Sequence, residues 1–180
     1  MDLEKIKRDI LELYDLCIEN TALFHTKIDI CIVPDYLTQM VFDATNIDLA
    51  NHWISIDNYG IIHTLQQHSN PISEAKRGQI AIERADFIHF IEVVLEPDAI
   101  KLLPNTKRTN LPQLQFEKTI NNKKIVVKEI RTLKSTKKNK VSRIMFQTMY
   151  KFKTPTNSVN WTLPTNYVVR NKPIQYVRDV

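Results

Sequence analysis

Glycine is nearly missing from this chain: Gly60 and Gly78 are the only two in 180 residues. Loops that cradle phosphate, of the dinucleotide-binding or the P-loop kind, need several glycines close together, so both are excluded. Cysteine is as scarce. Cys17 and Cys31 stand alone without paired metal-ligand spacing, so neither a zinc site nor a disulfide framework is indicated. Two structural thiols in a reducing cytoplasm are expected instead. Long apolar runs are missing too, and charges begin at Asp2. A membrane span, a membrane partner and an export signal are therefore not expected.

A further scarcity is local. Residues 101–153 contain two acids, Glu117 and Glu129, against 15 Lys and Arg. Residues 1–100 reverse this, with 17 Asp and Glu against 7 Lys and Arg. Clustered cations raise the local potential and release counterions from a polyanion. The segregation therefore points to RNA or DNA, or else to an acidic half packed against a basic one. At 43% hydrophobic and 25% charged, the chain can bury an ordinary globular core.

Apolar residues at Leu3, Ile6, Ile10, Leu13 and Leu16 or Cys17 have helical spacing and predict an amphipathic helix. Lys27–Val33 alternates as a short strand, a helix is plausible from Asp35 to about Phe42, and Trp53–Ile56 reads as another short strand. Asp57 or Asn58 caps a helix running to His68, which Asn70-Pro71 closes. Gly78–Ile82 reads as extended and Glu83–Leu95 as a helix stopped by Pro97. Beyond residue 98 the pattern changes to four strands, at about 99–103, 113–120, 123–133 and 140–152. Asn121-Asn122 marks a tight turn, because Asn tolerates the left-handed region that hairpins need. Lys134–Lys140 reads as a flexible basic loop. One domain over residues 1–153 is expected, with a helical part at 1–98 and a sheet part at 99–153. Residues 154–180 form a Pro-rich irregular tail.

Chemistry concentrates at His63 and His68. At 100° per residue, His68 lies about 65° from the centre of the helix's apolar stripe and His63 about 155° away. Five residues is the wrong spacing for a shared zinc, so no metal site is expected there. A border histidine is half-buried and tunable near neutrality, although such residues are also often structural. On the last strand, alternation puts Ile144, Phe146, Thr148, Tyr150 and Phe152 on one face. On its neighbour, Ile125 and Val127 share a face with Glu129 and Arg131. Two apolar rows that turn polar suggest a polar pocket, or a buried Glu129–Arg131 pair. Lys134, Lys137, Lys138, Lys140 and Arg143 flank it, as phosphate grips or as solvated charges.

The run HTLQQH, then EAKRGQIAIERADF and EPDAI, resembles the histidine-helix segment of the phage-associated barnase–EndoU–colicin–RelE-like nucleases. The later KKIVVKEIRTLKSTKKNKVSRIMFQTMYK resembles the closing hairpin of the same family. The similarity spans roughly Gly60 to Lys153 and departs at Ser69, where the family commonly has Gly. It implies an α+β fold, with N-terminal helices packed on a four-stranded antiparallel sheet. It also implies endoribonuclease activity without metal or other cofactor, in a toxin or phage-encoded effector that an inhibitor (immunity or antitoxin) protein could accompany. Carried over by position, the candidates are His63, His68, Arg77, Glu129, Arg131, Thr148 and Tyr150, with Lys76 beside Arg77 as a further phosphate contact. Cleavage would begin with attack of a ribose 2′-hydroxyl on the adjacent phosphorus. Glu129 or a histidine would take its proton and the other would protonate the 5′-oxygen, while the cations offset phosphorane charge. A non-catalytic module of the same fold, gripping nucleic acid or an acidic partner, is the alternative.

Overall fold

The computed structural model describes residues 2–20, 25–107, 110–133 and 141–154, leaving aside the side chains of residues 129–133. The basic loop with Lys134, Lys137, Lys138 and Lys140, and the tail beyond Thr154, lie outside the described residues.

Helix α1 (Leu3–Glu19) begins at Asp2, whose side chain accepts from the Lys5 N–H, and it buries Ile10, Leu13 and Cys17. Strand β1 (Lys27–Ile32) leads to α2 (Asp35–Thr45), which ends on Asn46 in the left-handed region. Strand β2 (His52–Asp57) runs straight into α3 (Asn58–His68), capped by Asp57. A short helix α4 (Pro71–Lys76) follows, then a 3-10 helix over Arg84–His89 that continues into α5 (Phe90–Leu95). Strands β3 (Ala99–Leu103), β4 (Gln113–Ile120), β5 (Lys123–Leu133) and β6 (Ser142–Lys153) complete the order.

Among the described residues the sheet has six strands, in the order β1-β2-β6-β5-β4-β3. It corrects the expected four-stranded antiparallel sheet: β3 to β6 form that meander, but β2 adds to β6 in parallel and β1 to β2 in antiparallel. The chain therefore does not divide at residue 98 into a helical and a sheet part, because two strands of the acidic half sit at one edge. Asn121 and Asn122, at φ 49° and 58°, make the β4–β5 hairpin turn.

The expected helix over Glu83–Leu95 is regular only from Phe90. In a 3-10 helix side chains three residues apart line up, which suits Phe87 and Phe90. Both rings meet Phe146, at centroid distances of 6.2 and 5.0 Å. Asp86 anchors this turn by accepting from the Glu83 N–H at 2.6 Å and from the buried Lys151 ammonium at 2.5 Å. Leu114, Phe116, Val127 and Met149 complete the core on this side of the sheet. Each such side chain contributes about 1.5–3 kcal/mol on burial.

A bulge changes the reading of β6. Lys128 pairs with Thr148 and Glu129 with Phe146, so Gln147 is passed over. Directly paired residues share a face. Thr148 and Tyr150 therefore lie with Lys128 and Val126, whereas Phe146 takes the register of Leu114, which also pairs with Glu129. The single row Ile144–Phe146–Thr148–Tyr150 expected from strict alternation is broken by that extra residue.

Candidate active site

Helix α3 lies along β6, and the two repeats match. Four helical residues rise about 6 Å and two strand residues about 6.6 Å, so positions 60, 64 and 68 follow 146, 148 and 150. Gly60 sits over the Phe146 carbonyl, where a Cβ would fall 2.4 Å from the oxygen. Only glycine permits that approach. The buried Thr64 hydroxyl donates to the Gly60 carbonyl at 2.9 Å and reaches Thr148 Oγ1 at 3.4 Å. The His68 ring stacks on Tyr150, with centroids 5.4 Å apart and planes at 29°.

Asn70-Pro71 does more than close α3. Asn70 caps the next helix by accepting from the N–H groups of Ile72 and Ser73, and Pro71 takes the first helical position, where its missing N–H costs nothing. One turn on comes Glu74, whose side chain is fully buried. His68 Nδ1 donates to Glu74 Oε2 at 3.0 Å, and Arg77 Nη1 donates to Oε1 at 2.7 Å. A carboxylate only accepts, so the Nδ1 bond carries its proton on the ring, and Nε2 is the nitrogen left to face solvent or substrate. Arg77 also donates to the Gln67 carbonyl at 2.8 Å, and the Ile82 N–H donates to the His68 carbonyl at 2.7 Å. The end of α3 is thus pinned from three sides.

Lys128 places its ammonium 5.2 Å from the centroid of the Tyr150 ring, within cation–π range. A histidine and an arginine therefore share a buried acid, and the histidine stacks on a phenol whose ring lies under a lysine ammonium. Partial desolvation against its neighbours, followed by the charge of His68, lowers the His63 pKa. His63 is exposed one and a half turns back on α3. Burial first, and the Glu117 carboxylate second, raise the Tyr150 pKa.

Of the residues read from the sequence, His68, Arg77, Thr148 and Tyr150 come together. Lys76 is exposed at the end of α4. Arg143 does not join them. It clamps Asp29 through Nε and Nη2, both at 2.9 Å, seven strand residues or roughly 20 Å from Tyr150. Glu129 and Arg131 belong to β5, where Glu129 pairs with Phe146 and Arg131 with Ile144, not with Thr148 or Tyr150. Their side chains lie outside the described residues. Sequence reasoning missed Glu74, Lys128, Gln115 and Glu117. The Asn-Pro pair three and four residues ahead of an acid was the available signal for Glu74. Among the described residues no three His, Cys, Asp or Glu side chains gather as a metal-binding set, and no helix is long and apolar enough to cross a membrane.

A family model described as phage-Barnase-EndoU-ColicinE5/D-RelE like nuclease3 matches residues 32–158. No curated protein and no solved structure matches the chain significantly. The matched span is more than half of the chain and contains α3, α4 and the whole β3–β6 meander. The chain belongs to the phage-Barnase-EndoU-ColicinE5/D-RelE like nuclease family.

Proposed function

We propose that this nuclease is a metal-independent endoribonuclease and that His68 Nε2 moves a proton in its reaction. The observation that supports this reading is the imidazole itself. Glu74 fixes its tautomer and also holds Arg77, while Tyr150 fixes its plane and carries the Lys128 ammonium over its own ring. In the proposed reaction the ribose 2′-oxygen loses its proton and bonds to phosphorus. The bond to the 5′-oxygen then breaks, that oxygen gains a proton, and a 2′,3′-cyclic phosphate remains. Positive charge held in place before the reaction stabilises the phosphorane without reorganisation. Arg77 and Lys128 serve that role, and the lysines at 134, 137, 138 and 140 would grip phosphates without reading sequence. A second proton-transfer group is required. Glu129, one residue beyond Lys128, and His63, on the helix of His68, are the two to compare. A toxin or phage-encoded effector, held in check by an inhibitor protein, is the setting this reading suggests.

The test is incubation of the protein with total RNA and with single-stranded DNA, in EDTA, followed by analysis of the ends. RNA cut to 2′,3′-cyclic phosphates, with DNA intact, is expected. His68→Ala should keep RNA affinity and lose about 10²-fold or more in rate. Tight RNA binding by the wild type without cleavage would instead make the protein a binding module. Dependence on magnesium, or cutting of DNA, would overturn the mechanism.

A further inference from the structure

A chain of hydrogen bonds leads from Tyr150 on β6 across the sheet toward its β3 edge. The Tyr150 hydroxyl donates to Gln115 Oε1 at 3.3 Å, and Gln115 Nε2 donates to Glu117 Oε1 at 2.7 Å. Lys101 donates to the same Glu117 oxygen at 2.5 Å, and Lys124 pairs with Oε2. The register puts them on one face: Tyr150 pairs with Val126 and Val126 with Glu117, while Thr148 pairs with Lys128 and Lys128 with Gln115. Gln115 and Glu117 are both buried there, 8% and 5% exposed.

The polarity of the chain is forced. An amide has one accepting and one donating end. Burial works to raise the Glu117 carboxyl, yet the bonds from Lys101, Lys124 and Gln115 hold it below its ordinary range. As a carboxylate it can only accept, so Gln115 must turn its NH₂ toward Glu117 and its carbonyl toward Tyr150. The phenol proton then has to point at Gln115.

We propose that Gln115 and Glu117 are positioning residues of the active site, which lock Tyr150 as a donor into the protein so that its ring is a fixed stacking plate for His68. Its oxygen lone pairs, not its proton, then face the substrate, and Tyr150 is not the acid that protonates the leaving oxygen. The inference rests on His68 being the proton-transfer residue. Two lysines on one carboxylate also gain a reason beyond stability, because they keep Glu117 ionised and so keep Gln115 from flipping.

Two measurements test it. In RNA cleavage, Gln115→Met removes the acceptor at similar length and Tyr150→Phe removes the hydroxyl. Each should lower kcat about fivefold, the scale of one net hydrogen bond, with KM unchanged. The double variant should lose no more than Tyr150→Phe alone, because Gln115 acts only through that hydroxyl. Second, carbon NMR of labelled tyrosine in the intact protein should show Tyr150 ionising at lower pH in Glu117→Gln than in wild type, since the opposing carboxylate is gone. Multiplicative losses in the double variant, or an unmoved Tyr150 ionisation, overturn the proposal. If Glu117→Gln shifts the Tyr150 ionisation but the wild type cuts no RNA, the relay stands and the activity reading is overturned instead.

Discussion

Glu74 is the residue on which the site depends most, and replacing it separates its two roles. Glu74→Ala removes the shared acceptor of His68 and Arg77 from a side chain with no solvent exposure. Deleting one partner of a buried ion pair costs about 3–5 kcal/mol. Arg77 is 49% exposed and can return to water, while His68 at 15% cannot, so the low end, about 3 kcal/mol, applies. A domain of this size loses roughly 2–4 °C per kcal/mol, so Glu74→Ala should melt about 6–12 °C below wild type. Glu74→Gln keeps the shape and should lose only about half as much. Its amide, however, has one accepting end for two donors. Either Arg77 or His68 Nδ1 then faces an NH₂ group, and the imidazole must rotate or change tautomer. Cleavage by Glu74→Gln should therefore fall about 10²-fold or more, near the loss in His68→Ala, with RNA affinity kept. The assays are thermal unfolding by circular dichroism and single-turnover RNA cleavage. Glu74→Gln cleaving within about threefold of wild type would refute the tautomer argument. Glu74→Ala melting within about 2 °C would refute the burial argument.

Gly60→Ala tests the close approach of α3 to β6: helix propensity alone predicts a gain of about 1 kcal/mol, but a Cβ 2.4 Å from the Phe146 carbonyl oxygen predicts a loss of about 1–3 kcal/mol in urea unfolding. A variant as stable as wild type would sink the packing account. Asp29, held well below the usual carboxylate range chiefly by Arg143, stabilises the fold above its unfolded pKa of about 3.9, and the effect fades as pH falls below that. Asp29→Asn should accordingly be the less stable protein at pH 7, with the gap closing on acidification, and a pH-independent gap would contradict this. The Cys17 thiol, pushed up to about 11 by burial and then by Asp57, should react with a disulfide reagent at pH 8 only on unfolding. Rapid labelling of the folded protein at both thiols would show otherwise.

The meander was legible because each strand carries its own local signal. The four strands at 99–133 and 142–153, and the Asn-Asn turn, agree with the structure within two residues. The edge strands were legible as strands but not as members of that sheet, because β2 pairs in parallel with a strand some ninety residues away, and no local pattern encodes such a partner. Helix α4 escaped for another reason. Asn-Pro ends one helix and can begin the next with the same two residues, and only the buried Glu74 decides between them. The β6 bulge left no trace, since QTMYKF keeps a plausible alternation whether or not Gln147 is skipped. Lys128 was hidden among the many lysines of the basic half, where spacing cannot distinguish a lysine over an aromatic ring from one in water.

These misses have a common physical origin. Pairing of β2 with β6 stops at Met145, and β6 next pairs on that side at Lys151, through an isolated bridge to Ile80. Between them, from Phe146 to Tyr150, β6 gives up a strand neighbour and takes the side of α3 instead. A bulge suits that handover, since it bends the strand and increases its twist. The absence of a side chain at Gly60 suits it too, since the helix must come as close as a strand would. The last helical position to follow the strand is His68, and there the helix ends and α4 folds back to bring Glu74 underneath. The histidine therefore sits at the end of the paired run of helix and strand, with its Nδ1 bonded to the buried Glu74 and its ring stacked on Tyr150. A change that restores regular alternation in β6, such as deleting Gln147, should move Tyr150 out of register with His68 while leaving the β4–β5 hairpin paired. The expected readout is loss of the Tyr150–His68 ring-current shifts in NMR with the hairpin amide signals retained. A deletion that keeps those shifts would show that α3, rather than the bulge, sets the geometry of the site.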